Sequence, residues 1–263
     1  MQTVTHHGRK TAYELTDRGG DGPPLCFVHG SGGSRDVWKG QHRLADRNPI
    51  VALDLSGHGE SADIDAEPGY ATLSAYVDDV AAVLEATDSR VLVGNSLGGA
   101  VAMQLLIERD PDLDAAVLAG TGARLGVLED LLDWLEDDFE RAIDFLHEPG
   151  RLFEDPDPEL RDESMEQLRE TGRQVTHRDF LTCHRFDVRA DLSAIDVPTL
   201  AIYGEGDRLT PPRYHEYLAD EIDDAWIAGL EDAAHLAMLE QPAAFNAALA
   251  EFLDVVSERT EEY

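Results

Sequence analysis

The sequence predicts an α/β fold, with a mostly parallel central sheet flanked by helices and an inserted helical lid. Three observations carry that expectation. Short apolar runs alternate with amphipathic stretches, the pattern of parallel strands buried on both faces by crossover helices. At residues 90–105 a glycine-flanked turn joins one apolar run to a stretch rich in alanine and leucine. Between 121 and 191 the alternation lapses, and helical patterns follow one another with no core strand between them. The expected organisation of the 263 residues is one domain with an insertion: a core made of residues 1–120 and 192–263, and an inserted cap at 121–191.

Thr11 to Leu15 forms an edge hairpin with the residues before it. The buried strands are read at Leu25 to Val28, Ile50 to Leu53, Arg90 to Val93, Ala115 to Ala119 and Thr199 to Tyr203, with a weaker one at Ala225 to Ala228. Leu73, Tyr76, Val77, Val80, Val83 and Leu84 recur at helical spacing, with Asp78, Asp79 and Glu85 expected on the solvent side. Pro242 opens the last helix, with Phe245, Leu249 and Phe252 on its apolar stripe. Within the insertion, Leu128, Leu131, Leu132 and Leu135 form one helical pattern and Phe139, Ile143 and Leu146 a second. Pro156 and Pro158 then punctuate the chain before two more polar helices.

Composition excludes several classes of partner. A formal charge of −33, from 54 acidic against 21 basic residues, opposes association with nucleic acid or an anionic membrane surface. The acidity runs along the whole chain, and 43% hydrophobic residues in periodic runs argue against disorder. Two lysines, Lys10 and Lys39, stand against nineteen arginines. Low lysine with high carboxylate resembles a salt-adapted, haloarchaeal-type composition; the alternative is an ordinary acidic cytosolic protein. Cys26 and Cys183 have no metal-like spacing, and two cysteines, one inside the apolar run LCFV, do not make a disulfide framework, so neither a metal site nor such a framework is expected. The N-terminus lacks an apolar signal region and no stretch approaches a membrane span, so a cytoplasmic enzyme is expected. Nothing in the sequence speaks to oligomeric state.

The segment RVLVGNSLGGAVAMQL is a strand, a tight turn carrying Ser96, and a helix. A serine on such a turn projects its hydroxyl above the sheet edge, and Gly94 and Gly98 remove side chains that would meet neighbouring backbone. The helix beginning at Leu97 directs N–H groups and partial positive charge at the same point. Downstream, VPTLAIYGEGDRLTPP puts Asp207 just beyond the end of a buried strand, where catalytic groups collect in open α/β sheets. Glu205 is the rival carboxylate. His235, in EDAAHLAMLEQP, completes the order serine, aspartate, histidine on the same edge, whereas His6, His7, His147 and His177 sit among polar residues and are expected to be solvated. Asp232 is read as a solvated loop carboxylate.

An oxyanion needs two donors. The Leu97 backbone N–H supplies one, and the loop after LCFVHG supplies the other through the backbone N–H of Ser31, with Gly30, Gly32 and Gly33 letting the chain approach closely and His29 bracing the loop. The same glycines lack the lysine of a P-loop and the G-x-G-x-x-G order of a dinucleotide site, so no cofactor is expected.

Taken in order, HGSGG at 29–33, DLSGHGES at 54–61, GNSLGG at 94–99, GEGDRLTPP at 204–212 and the His235 loop resemble the α/β-hydrolase superfamily, in particular capped carboxylesterases and enol-lactonase-like members. The resemblance covers nearly the whole chain. It implies an α/β-hydrolase fold and a serine hydrolase acting on a small-molecule ester or lactone, with Ser96 as nucleophile, His235 as base and Asp207 as orienting acid. It also implies that Asp54 to Ser61 is a structural loop, with Gly57, His58 and Gly59 packing beside the site. Ala234 departs from the glycine common before the family's histidine. Enol-lactone, carbon-carbon bond and perhydrolase chemistry use the same triad and stay open, as does a catalytically silent binding protein of the same fold.

Overall fold

The structure, a computed structural model, describes residues 1–109 and 111–261, without the side chains of residues 260 and 261. Eight strands form one sheet: β1 (Gln2–His6), β2 (Arg9–Thr16), β3 (Leu25–Val28), β4 (Ile50–Leu53), β5 (Val91–Asn95), β6 (Ala115–Ala119), β7 (Thr199–Gly204) and β8 (Ala225–Leu230). Their order is β1-β2-β4-β3-β5-β6-β7-β8. The hairpin β1–β2 is antiparallel and joins β4 antiparallel, and every other pairing is parallel. Three core strands lie where the apolar runs place them. The run expected at Arg90 to Val93 is instead shifted to Val91–Asn95, because Gly94 and Asn95 continue the pairing onto Leu118 and Ala119. Likewise β7 and β8 each extend to the pair Gly204 and Leu230.

Alternate residues of each strand serve opposite faces. Cys26 and Val28 of β3 join a core with α1 (Tyr70–Thr87) and α2 (Leu97–Arg109). Leu25 and Phe27 join a second core with Trp38 and with Phe245, Leu249 and Phe252. Between β6 and β7 come α3 (Glu129–Asp137), α4 (Phe139–Leu146), α5 (Pro158–Thr171) and α6 (Arg173–Arg185). Leu131, Leu135, Ile143, Leu146 and Leu168 form a separate cluster within them. The chain then adds α7 (Pro212–Glu221), the short α8 (Ala237–Glu240) and α9 (Pro242–Glu261), whose first residue is the proline expected there. None of the described helices is long and apolar enough to cross a membrane.

Three polar residues are placed differently from expectation. Asp79 is fully buried on α1, because that flank faces the hairpin and the loop after β4, where Arg9, Thr11 and the Ser56 N–H all donate to its carboxylate. His147 is buried as well; its ring bonds Ile143 O and Ser164 Oγ, since α4 packs against α5. The His6 side chain is only 11% exposed and meets Thr11 and Asp79.

Candidate active site

The carboxyl ends of β3, β5 and β7 and the turn after β8 converge at one edge of the sheet. Ser96 adopts φ 54°, a left-handed conformation that costs a non-glycine residue on the order of 1–3 kcal/mol and persists only where its surroundings fix it. Here the Ser96 N–H donates to Ala119 O at 2.9 Å, and its carbonyl accepts from the Ala100 N–H at 3.1 Å and the Thr121 hydroxyl at 2.8 Å. A Cβ on Gly94 would lie 2.3 Å from Gly98 O, and one on Gly98 2.4 Å from Val28 O. Only glycine fits either side of the turn.

Asp207 and His235 form a buried pair, with Nδ1 2.9 Å from Asp207 Oδ2. Asp207 also accepts the Thr210 hydroxyl at 2.7 Å and the N–H groups of Leu209 and Thr210 at 2.7 and 2.9 Å. Burial works to raise its carboxyl pKa, but the opposing His235 charge and the hydrogen bonds from His235 and Thr210 outweigh it and hold the group below the usual carboxylate value. An ionised Asp207 can only accept, which matches a proton on His235 Nδ1. Ser96 and His235 line the same cavity, and their side chains are not hydrogen-bonded to each other. Such contacts commonly tighten only around a bound substrate. Glu205 is exposed and Asp232 is exposed, so neither competes for the histidine. Ala234 does not have positive φ; Asp232 takes that conformation instead, at 53°, so the alanine fits unstrained.

Neither the Ser31 N–H nor the Leu97 N–H has a backbone acceptor among the described residues. Ser31 follows β3 and Leu97 opens α2, on either side of Ser96. A Cβ on Gly30 would come within 3.0 Å of Ser96 Cβ, so this glycine is what brings the loop against the serine. His29 is fully buried, donates from Nδ1 to Gly30 O at 2.8 Å and accepts the Leu55 N–H on Nε2 at 3.0 Å. Burial, aided by the His58 charge, lowers its pKa to about 4, which matches a neutral brace. In the neighbouring loop Asp54 accepts the Arg35 and Glu60 N–H groups and the Arg35 guanidinium, and Gly57 and Gly59 take positive φ.

The cavity over these groups measures about 890 Å³. Leu131, Phe145, Leu168, Phe180, Leu209 and Leu236 make much of its wall. Cys183 also lines it, but burial pushes the thiol up to about 12, which leaves no thiolate at neutral pH and makes it no rival to Ser96. Among the described residues no group of three or more His, Cys, Asp or Glu side chains is arranged to hold a metal ion.

Two supporting residues escaped the sequence reading. Thr210 binds the Asp207 carboxylate and lies 3.2 Å from His235 Nδ1; its only signal was its place in GDRLTPP. His215 is fully buried, and burial lowers its pKa to about 4. Its neutral Nε2 accepts the Thr121 N–H at 3.0 Å, and so steadies the residue whose hydroxyl holds the serine turn. No local pattern marks that role.

Residues 27–248 match the alpha/beta hydrolase family. A pimeloyl-[acyl-carrier protein] methyl ester esterase of Neisseria meningitidis serogroup C is 30% identical over 248 residues, covering 88% of this chain and 94% of that protein. The solved structure of a thermophilic esterase superposes with a TM-score of 0.84 at 31% identity, covering 97% of each chain. A structure described as Est816, an N-acyl homoserine lactone degrading enzyme, superposes at 0.84 with 27% identity, covering 95% of this chain and 100% of the other. Matched through its core strands, its serine turn and the histidine loop, the chain belongs to the alpha/beta hydrolase family.

Proposed function

We propose that this protein hydrolyses a small-molecule carboxylic ester through an acyl-enzyme formed on Ser96. The observation that carries the reading is the buried Asp207–His235 pair at 2.9 Å, whose histidine lines the same cavity as a serine held at φ 54°. His235 Nε2 takes the hydroxyl proton as Ser96 Oγ bonds to the carbonyl carbon, and Asp207 stabilises the imidazolium. The N–H groups of Ser31 and Leu97 receive the oxyanion, each contributing about 3–4 kcal/mol in comparable sites. Collapse breaks the carbon-oxygen bond, and the alcohol leaves with the proton from His235. Water then attacks the acyl-enzyme with His235 again as base, releasing the acid and restoring Ser96.

Residues 121–191 are proposed as the cap over this site, and their apolar side chains suit the acyl part of the substrate. A lactone, an internal ester opened by the same steps, is the second reading; the 27% identical relative described as degrading N-acyl homoserine lactones favours it. The protein is read as acting in the cytoplasm, with its two cysteines kept as buried thiols.

The test is turnover of p-nitrophenyl acetate and butyrate, and of a panel of lactones, in molar KCl. Wild type turns over, and Ser96→Ala loses essentially all activity while keeping its circular dichroism. A folded, active Ser96→Ala variant would refute the mechanism, and a wild type inert towards every ester and lactone would leave the silent binding protein as the better reading.

A further inference from the structure

A fully buried carboxylate that the proposed chemistry does not use lies behind the oxyanion loop. Asp179, on α6, accepts the Gly32 N–H at 3.0 Å and the His58 Nε2–H at 2.9 Å on one oxygen, and the Tyr76 hydroxyl at 2.7 Å on the other. Gly32 is 147 residues away in sequence. His58 also directs Nδ1 at Ser56 O, 3.2 Å away, so both its ring nitrogens face acceptors and the ring is suited to carry charge. Burial penalises the Asp179 anion, but the His58 charge and the bonds from His58, Tyr76 and Gly32 hold its pKa below the usual value. A carboxylate with this many donors, buried against a charged imidazole, has a fixed position.

The loop it touches needs fixing. The Gly33 N–H donates to Gly30 O at 3.1 Å, closing a turn with Ser31 and Gly32 at its centre. Gly32 has φ +68° and Ser31 does not have positive φ, which is the type II form. Type I differs by a flip of the peptide between the two central residues. That flip would turn the Gly32 N–H away from Asp179 and bring the Ser31 carbonyl oxygen against the carboxylate. The Ser31 N–H, the proposed oxyanion donor, belongs to the preceding peptide and keeps its direction in both forms, so Asp179 acts on it by anchoring the turn in place. Other parts of the insertion press on the same turn: the Thr171 hydroxyl donates to Gly32 O at 2.8 Å, and a Cβ on Gly32 would meet Leu168 at 2.4 Å.

We infer that Asp179 is a positioning residue, supplied by the inserted helices, that anchors the turn carrying Ser31 where its N–H can stabilise the oxyanion. The inference rests on the acyl-transfer reading above. It makes the insertion part of the machinery for the transition state as well as a wall of the substrate cavity.

The experiment compares Asp179→Ala and Asp179→Asn with wild type in molar KCl, after turnover of p-nitrophenyl butyrate has been shown to require Ser96. kcat and KM are measured with that ester, alongside inhibition by a trifluoromethyl ketone of matching chain length, which forms a tetrahedral oxyanion on the serine. Asp179→Ala is expected to lower kcat about 10- to 100-fold with KM within about twofold, somewhat less than removal of an oxyanion donor itself. Affinity for the ketone falls by the same factor, and Asp179→Asn, which keeps one acceptor oxygen, is intermediate. A folded Asp179→Ala variant with wild-type kcat and ketone affinity overturns the inference, and so does a loss of turnover with ketone affinity unchanged. Should the alanine variant not fold, the isosteric Asp179→Asn decides on the same terms: reduced kcat and ketone affinity at constant KM support the inference, and wild-type values overturn it. Absence of Ser96-dependent turnover in the wild type would instead overturn the acyl-transfer reading and this inference with it.

Discussion

At the scale of single residues, the separation of Asp207 from Glu205 depends on burial and on donors. Asp207 is 2% exposed and receives hydrogen bonds from His235, Thr210 and Leu209, whereas Glu205, two positions earlier, faces solvent. Replacing Asp207 by Asn turns an acceptor towards His235 Nδ1 into a donor or leaves the ring free to carry its proton on Nε2, where it cannot accept the serine proton. Asp207→Asn is therefore expected to lower kcat by about 10⁴-fold, and Glu205→Gln by less than about twofold. Steady-state kinetics on p-nitrophenyl butyrate checks both, and the reverse ranking would make Glu205 the orienting acid. Asp207 was legible because a carboxylate just past a buried strand has few structural reasons to be there. Asp79, Asp179 and His215 were not, because a polar side chain is buried only where distant partners satisfy it. The Arg9 and Thr11 donors of Asp79 and the Gly32 donor of Asp179 come from far along the chain, so local pattern placed Asp79 in solvent and passed over the others.

At the scale of elements, the serine turn depends on space between backbones as much as on backbone angle. Gly98 does not have positive φ, yet a Cβ there would lie 2.4 Å from Val28 O and 2.7 Å from His29 O. Strand β3, paired on both sides, has little freedom to withdraw. Gly98→Ala is expected to destabilise the fold by about 2 kcal/mol or more, while Gly126→Ala, with nothing within 4 Å of its Cβ, shifts stability by less than about 0.5 kcal/mol. Urea unfolding in high salt distinguishes them, and equal midpoints would mean the turn is looser than its contacts indicate. The strands themselves were legible as short apolar runs. The ends of β5, β7 and β8 were not, since pairing onto Leu118 and Ala119 carries β5, and the Gly204–Leu230 pair carries β7 and β8, past the last residue of each expected run. The helices between β6 and β7 showed their periodicity, but the grip of α5 and α6 on the Gly32 turn has no periodic signature.

At the scale of the whole molecule, the formal charge of −33 bears on how the fold responds to salt. Folding gathers 54 acidic residues onto one compact body, so their repulsion opposes the folded state more than the expanded chain. The screening length shrinks from about 10 Å at 0.1 M salt to about 3 Å at 1 M, so surface carboxylates repel one another far less in molar salt. We therefore propose a salt-dependent fold, with structure and activity lost towards 0.1 M KCl and retained to 4 M, as read by circular dichroism and ester turnover; equal stability at both ends would withdraw the halophilic reading. High salt is accordingly the medium for the test of the central claim, that Ser96 is a nucleophile activated by His235 and Asp207. Wild-type protein is treated with a fluorophosphonate, digested, and the mass increment mapped. A single adduct is expected, on Ser96, absent in Ser96→Ala and formed far more slowly in Asp207→Asn. An adduct on any other residue, or a folded wild type that takes up none, would contradict it.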